Sequence, residues 1–158
     1  LSLGYSHTLA LLLVTIVMVG NVVLQFPIGM LADRIGIRQT ITLCAWVSLA
    51  GPLVIIAFAA SLPVVAVTLF IWGGAVWALY SLALAEIGHR LRGSAVAAAN
   101  GAMVFVYTLA NVIGPPLAGF GLETFKPHGF MGLALLFALA LLVLIYVRGD
   151  PDARRSSE

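Results

Sequence analysis

The sequence is poor in charge: charged residues make up 9% of its 158 residues, and hydrophobic residues make up 62%. Soluble globular proteins carry roughly a quarter charged residues, so this composition excludes a soluble domain. The few basic residues lie singly or in small groups at the ends of apolar runs, which excludes a nucleic-acid-binding patch. With a mean hydropathy of +1.12, the sequence indicates a polytopic membrane protein whose main surroundings are the lipid bilayer.

Reactive side chains are also scarce. Cys44 is the lone cysteine and cannot form a disulfide within the chain. No His or Asp lies inside an apolar run, and neither Gly-x-Ser-x-Gly nor His-Glu-x-x-His occurs. The sequence therefore predicts no catalytic residue, no metal site and no cofactor, and it disfavours an intramembrane enzyme.

The apolar runs are continuous rather than alternating with period two, which indicates helices rather than a barrel. Since a helix needs about 20 residues to cross the hydrocarbon core, we predict an all-α fold with about five transmembrane helices. Their expected ranges are about 9–31, 39–59, 63–85, 94–120 and 130–147, followed by a polar tail at 148–158.

The distribution of basic residues predicts the orientation. All the arginines fall on one side of the predicted five-helix path, and Lys126 falls on the other. Because cytoplasmic loops carry the excess of Lys and Arg, both charged loops and the C-terminus are expected in the cytoplasm. We therefore expect a multi-pass protein of the plasma membrane, the inner membrane in a bacterium.

One charged loop is expected to join the first two helices. Its pattern is Gly29-x-Leu31-Ala32-Asp33-Arg34-x-Gly36-x-Arg38. It resembles the cytoplasmic signature of major facilitator superfamily transporters, Gly-x-Leu-Ala-Asp-Arg-x-Gly-basic-basic, and departs from it only at Ile37. We call Gly29–Arg38 the latch segment. The resemblance implies that it contacts the other half of a transporter and favours the outward-facing state.

The residue types of the latch segment suit that role. Gly29 permits close approach of another helix, and Gly36 permits a sharp turn. Asp33 is suited to the positive N-terminal end of a neighbouring helix, while Arg34 and Arg38 stay at the membrane interface. The alternative is a turn whose arginines only set the topology.

The fourth apolar run carries a second resemblance. Gly101, Ala110, Gly114-Pro115 and Ala118-Gly119 resemble, in a looser form, the Gly-Pro motif of the fifth helix in superfamily halves. That motif is best known in proton-linked antiporters. Small residues permit close helix packing and proline removes a backbone donor, so the sequence predicts helix bending and packing at Gly101, Gly114, Pro115 and Gly119.

The resemblance extends over nearly the whole chain. The run 77–86, followed by 97–101 and 113–115, is also similar to a group of poorly characterised bacterial permeases of the superfamily. Absence of charge in 63–85, the basic tail and the stop at Glu158 favour the C-terminal half, helices eight to twelve. The implied partners are the missing half and a small-molecule solute, with proton coupling left open. Two alternatives remain: an N-terminal-half fragment of a proton-coupled drug antiporter, and a non-catalytic membrane subunit or assembly factor.

A few polar side chains lie inside the predicted spans. Asn100, Tyr107 and Asn111 share one face of the fourth helix, and Asn21 and Gln25 lie one turn apart on the first. These residues are candidates for the solute path, because polar groups in a bundle face its interior or a water-filled cavity. Hydrogen bonding between helices is the alternative. Trp72, Trp77 and Tyr80 favour core packing over stacking on a solute, and Glu86 is expected to pair with Arg90.

Overall fold

The computed structural model describes residues 7–124 and 129–148, with side chains at 8–120 and 131–147. These residues form helices α1 (His7–Ile35), α2 (Ile37–Ala57), α3 (Leu62–Arg90), α4 (Ser94–Thr124) and α5 (Gly129–Arg148). The first four are long and apolar enough to cross a membrane, and α5 contains a shorter apolar helix, Met131–Val147. The predicted all-α membrane fold is confirmed.

Several helices extend beyond the predicted spans. α1 continues to Ile35 rather than ending near residue 31, and α3 continues to Arg90 rather than 85. Hydropathy falls where a helix leaves the lipid core, but backbone hydrogen bonding continues into water until a residue leaves helical geometry. The latch segment, expected to be a loop, is therefore helical except at Gly36.

Other predicted boundaries differ less or lie outside the described residues. α2 ends at Ala57 rather than near 59, and α4 continues to Thr124 rather than 120. In the predicted polar tail, α5 includes Arg148, and the described residues end there. Lys126 also lies outside the described part of the chain.

The turn between α1 and α2 consists of Gly36 alone. Its φ of 96° lies in the region that glycine adopts without steric penalty. The Gly36 carbonyl accepts hydrogen bonds from the backbone N–H of Thr40 at 3.1 Å and from its hydroxyl at 2.9 Å. Because Thr40 is fully buried, these bonds anchor the turn to the bundle.

Helix α3 lies at the centre of the bundle. It packs most extensively against α1 and α2, while α5 packs against α2 and α4. A core of small and apolar side chains joins the first three helices. Its buried members are Ala32, Cys44, Ala75, Ala78 and Leu82. Helix α4 has only slight contact with α3, and no residue is buried in its most apolar stretch.

Glycines set the distance between α1 and α3. A Cβ atom at Gly20 would collide with the backbone carbonyl of Phe70. A Cβ at Gly73 would lie 2.6 Å from the carbonyl oxygen of Val17, and one at Gly74 would lie 2.9 Å from that of Gly20. The two backbones therefore touch where they cross, which requires residues without a side chain.

A tryptophan joins α2 to α3. The Trp72 indole N–H donates a hydrogen bond to the carbonyl oxygen of Ser48 at 3.1 Å. Four residues after Ser48, Pro52 has no N–H with which to donate to that carbonyl within the helix. Gly51 leaves room for the indole, since a Cβ there would collide with the Trp72 ring. The indole thus satisfies a carbonyl that the proline leaves without its helical donor.

Candidate functional site

The latch segment forms an exposed patch at the end of α1. Gly29 and Asp33 lie one turn apart on the exposed side of the helix, with Arg34 beside them. Ala32, which precedes Asp33 in the helix, is buried in the core. Arg38 is half-buried in the first turn of α2. The single-residue turn at Gly36 thus brings the acid and the bases of the signature together at one end of the bundle.

Gly29 has open space around it. Apart from its chain neighbours and the backbone of its own helix turn, no atom of the described residues lies within 4 Å of a Cβ placed at Gly29. The close approach expected at this position is therefore not made by the part of the chain that the structure describes. The surface remains accessible to a helix from elsewhere.

The two amides on α1 bind one another. Gln25 donates from Nε2 to Asn21 Oδ1 at 3.0 Å, and both side chains are half-buried. This single bond uses one donor and one acceptor of the two amides, so the other donors and acceptors remain for water, a solute or another helix.

The three solute-path candidates of α4, Asn100, Tyr107 and Asn111, are exposed, and one of them contacts α3. Asn111 donates from Nδ2 to the backbone carbonyl of Tyr107 at 2.8 Å. The Tyr107 ring packs against that of Tyr80, with ring centroids 5.2 Å apart and planes inclined at 46°. Asn100 lies on the same helix two turns before Tyr107. The tyrosine contact places Tyr80 beside the predicted solute-path residues, which helical periodicity within α4 cannot reveal.

The small residues of α4 do not form the close helix crossing of this bundle. Cβ atoms placed at Gly101, Gly114 and Gly119 would have no neighbour within 4 Å among the described residues, and Pro115 is exposed. The close crossing is made instead at Gly20, for which the sequence signal is a glycine inside an apolar helix.

Two expectations about other polar and aromatic residues are confirmed. Glu86 and Arg90 form an ion pair within the last turns of α3, and Trp72 packs between helices. Among the described residues, no group of three or more His, Cys, Asp and Glu side chains is placed to hold a metal ion.

The family model described as Major Facilitator Superfamily matches residues 1–158. The chain belongs to the major facilitator superfamily. The family predicted from the latch segment is therefore confirmed, and this superfamily chain is a multi-pass membrane protein of a transporter family.

Curated relatives of this superfamily chain are also named as transporters. It is 29% identical over 131 residues to an uncharacterized MFS-type transporter of Enterobacter sp. (strain 638), covering 82% of this chain and 33% of the relative. It is 28% identical over 127 residues to the uncharacterized MFS-type transporter YcaD of Salmonella arizonae, covering 80% and 32%. A relative of that type in Yersinia enterocolitica is 26% identical over 132 residues, covering 84% and 33%. The chain thus spans about a third of the length of these relatives. No solved structure matches it.

Proposed function

We propose that this chain is part of a secondary transporter that moves a small solute by alternating access, and that α1 to α5 are helices eight to twelve of its C-terminal half. The chain spans about a third of the length of its relatives, which supports the proposal that it is part of a larger transporter. The proposal assigns the chain no chemical step. In it, the arginine-bearing ends and the C-terminus lie in the cytoplasm of a bacterial inner membrane, as the positive-inside rule predicts.

The latch segment is the observation that carries the proposal. It matches the superfamily signature at every position but Ile37, and Gly29 and Asp33 lie exposed on one side of α1. An exposed carboxylate beside an open glycine suits docking of a helix N-terminus from the missing half. A contact made in only one of two conformations shifts their ratio, which is how the latch segment would control transport.

The amides and tyrosine on α1 and α4 would line part of the solute path. Asn21 and Gln25 retain hydrogen-bonding capacity after bonding to each other, as does Asn111 after bonding to the backbone. In the proposal Gly101, Gly114, Pro115 and Gly119 face the missing half, since each is exposed or has open space around it. Proton coupling is not part of the proposal.

The first experiment identifies a solute with the intact protein that contains this chain. Cells with and without it receive a mixture of uniformly ¹³C-labelled solutes, and mass spectrometry measures what accumulates or is depleted inside. Saturable, expression-dependent movement of at least one solute is expected. No change in any solute, together with co-purification with a fixed partner, would instead support the membrane-subunit alternative.

The second experiment tests the latch with Asp33→Asn and the control Gln39→Ala, an exposed position just beyond the segment. Couplings between sites are typically about 1–3 kcal/mol, equivalent to about 5- to 150-fold. We expect Asp33→Asn to change the transport rate by about 5-fold or more with the order of solute preference unchanged. An unchanged rate would refute the latch role.

A further inference from the structure

Polar side chains on α1 and α4 lie near the middle of their helices. The midpoint of α1 falls at Asn21, and Gln25 follows one turn later. The midpoint of α4 falls between Tyr107 and Asn111, which lie two residues to either side of it. At a rise of about 1.5 Å per residue, all four lie within about 6 Å of the middle of their helices. Transporter solute sites lie near the bilayer midplane, so these residues are at the depth of such a site.

Helix α3 connects these two polar pairs. One residue joins α1 to α2 and four residues join α2 to α3, so the chain reverses its direction at each connection. Helices α1 and α3 therefore run in the same direction. Gly20 and Gly74 are in backbone contact. Gln25 comes five residues after Gly20, and Tyr80 comes six residues after Gly74, so Tyr80 lies at nearly the depth of Gln25. Its ring contacts that of Tyr107 on α4.

The hydrogen-bonding groups at this depth are only partly used. Asn21, Gln25 and Asn111 each retain amide donors or acceptors beyond the bonds at 3.0 and 2.8 Å described above. Within the described residues, no buried side-chain nitrogen or oxygen lacks a partner, so the unused groups lie at the accessible surface. Hydrocarbon offers such groups no partner, which favours contact with water, a solute or another helix.

No charge lies among these residues. The charged side chains that the structure describes lie near the helix ends and in the turns. They are Asp33, Arg34, Arg38, Glu86, Arg90 and Arg92. The nearest in depth is Glu86, six residues after Tyr80 on α3, which corresponds to about 9 Å along the axis. It pairs with Arg90, so the middle of the bundle, in the part of the chain described, has no side chain suited to neutralise a charged solute.

We propose that Asn21, Gln25, Tyr80, Tyr107 and Asn111 form one wall of the solute path, the polar wall, and that the solute is an uncharged organic molecule with hydrogen-bonding groups. The amides hydrogen-bond its polar groups and the tyrosine rings contact its apolar face. The inference rests on the proposed transport function and narrows its substrate class. Asn100 lies outside the polar wall, about 10 Å from Tyr107 along α4.

Cysteine accessibility tests the polar wall without a known substrate. In the intact transporter that contains this chain, Cys44→Ala removes the native thiol, and single cysteines replace Gln25 or Asn111. Matched controls replace Phe26 and Val112, which are adjacent in sequence and 76% and 67% exposed. Membrane vesicles of both orientations receive methanethiosulfonates that are neutral, cationic or anionic. The cysteine thiolate, which forms in water and not in lipid, attacks the sulfur of these reagents, so that a mixed disulfide forms and methanesulfinate leaves.

We expect Gln25→Cys and Asn111→Cys to react about 10-fold or more faster than their controls. The rate of each reagent is divided by its rate with a free thiol in solution. The resulting rates of the cationic and anionic reagents at these two cysteines should differ by less than about 3-fold, because no fixed charge is nearby. If one of these variants fails to fold, Asn21→Cys replaces it. Its control is then Val22→Cys, since Val22 is 74% exposed. Equal reactivity of wall and control positions, or no reaction at the wall, would overturn the polar wall.

A cation-to-anion preference beyond about 10-fold at these positions would overturn the uncharged substrate class, since a nearby charge produces such a bias. Labelling as expected without solute movement would refute the transport function and leave the wall intact. Solute movement without labelling at the wall would refute the polar wall and leave the transport function standing. The two proposals therefore fail in distinguishable ways.

Discussion

Replacing Trp72 with phenylalanine should destabilise the bundle, in part by removing the hydrogen bond to a single carbonyl oxygen. The Trp72 indole donates to the Ser48 carbonyl, and Pro52 cannot donate to it from within α2. Ser48 and Pro52 are both buried, so water cannot replace the lost donor. Trp72→Phe therefore leaves a buried acceptor unsatisfied.

The magnitude follows from two terms. An unsatisfied buried acceptor costs about 1–3 kcal/mol in soluble proteins, whereas hydrogen bonds between membrane helices average about 0.6 kcal/mol and reach about 1.7. The smaller ring also leaves a void between α2 and α3, which adds to the loss. We expect Trp72→Phe to lower the free energy of unfolding by about 1.5–2.5 kcal/mol, of which about 1 kcal/mol comes from the carbonyl.

A double-mutant cycle with Pro52→Ala isolates the hydrogen-bond term. Alanine restores the backbone N–H that donates to the Ser48 carbonyl in a regular helix, so Trp72→Phe should cost about 1 kcal/mol less in that background. Reversible unfolding of the purified protein in mixed detergent micelles measures each free energy. Trp77→Phe is the matched control, because the Trp77 indole makes no hydrogen bond within the described part of the chain.

Equal costs of Trp72→Phe in the native and Pro52→Ala backgrounds, within about 0.3 kcal/mol, would refute the reasoning. The reasoning would also be refuted if Trp77→Phe caused the same loss of stability as Trp72→Phe and if Pro52→Ala reduced both losses equally. That outcome would show that ring volume, and not the Ser48 carbonyl, determines the effect.

Three further substitutions test other contacts. Gly20→Ala should destabilise the protein by about 2 kcal/mol or more in the same unfolding measurement, because its Cβ would collide with the backbone of Phe70. The control Gly88→Ala should be neutral or slightly stabilising, because a Cβ there meets open space. Gly36→Ala should lower stability by about 1–2 kcal/mol through strain at φ 96°, and an unchanged midpoint would contradict a rigid turn. Glu86→Gln should cost less than about 1 kcal/mol, since its ion pair is partly solvent-exposed, and a larger loss would show that the pair is structural.

The family and the number of helices could be predicted from the sequence because both depend on local features. Hydropathy locates the apolar spans, and the latch segment has a nearly complete signature. Helix ends were less predictable. Hydropathy marks where α1 leaves the lipid core, but only the backbone conformation at Gly36 ends the helix there.

Contacts between helices could not be predicted from their separate faces. The small-residue motif on α4 suggested close packing at Gly114, yet the close crossing in the described bundle involves Gly20 and Gly74. The polar face of α4 was recognised from its periodicity, but its contact with Tyr80 required the arrangement of α3 and α4. Periodicity assigns a residue to a face, and it does not identify the neighbour of that face.

The sequence by itself determined that this chain is helical, membrane-embedded and a member of its superfamily, because lipid requires long apolar helices and the latch signature is local. Tertiary structure alone decided which glycines bring helices together, which donor satisfies the Ser48 carbonyl, and which tyrosines meet near mid-depth. The physical reason is that these contacts join residues distant in sequence, and their geometry depends on how the helices cross.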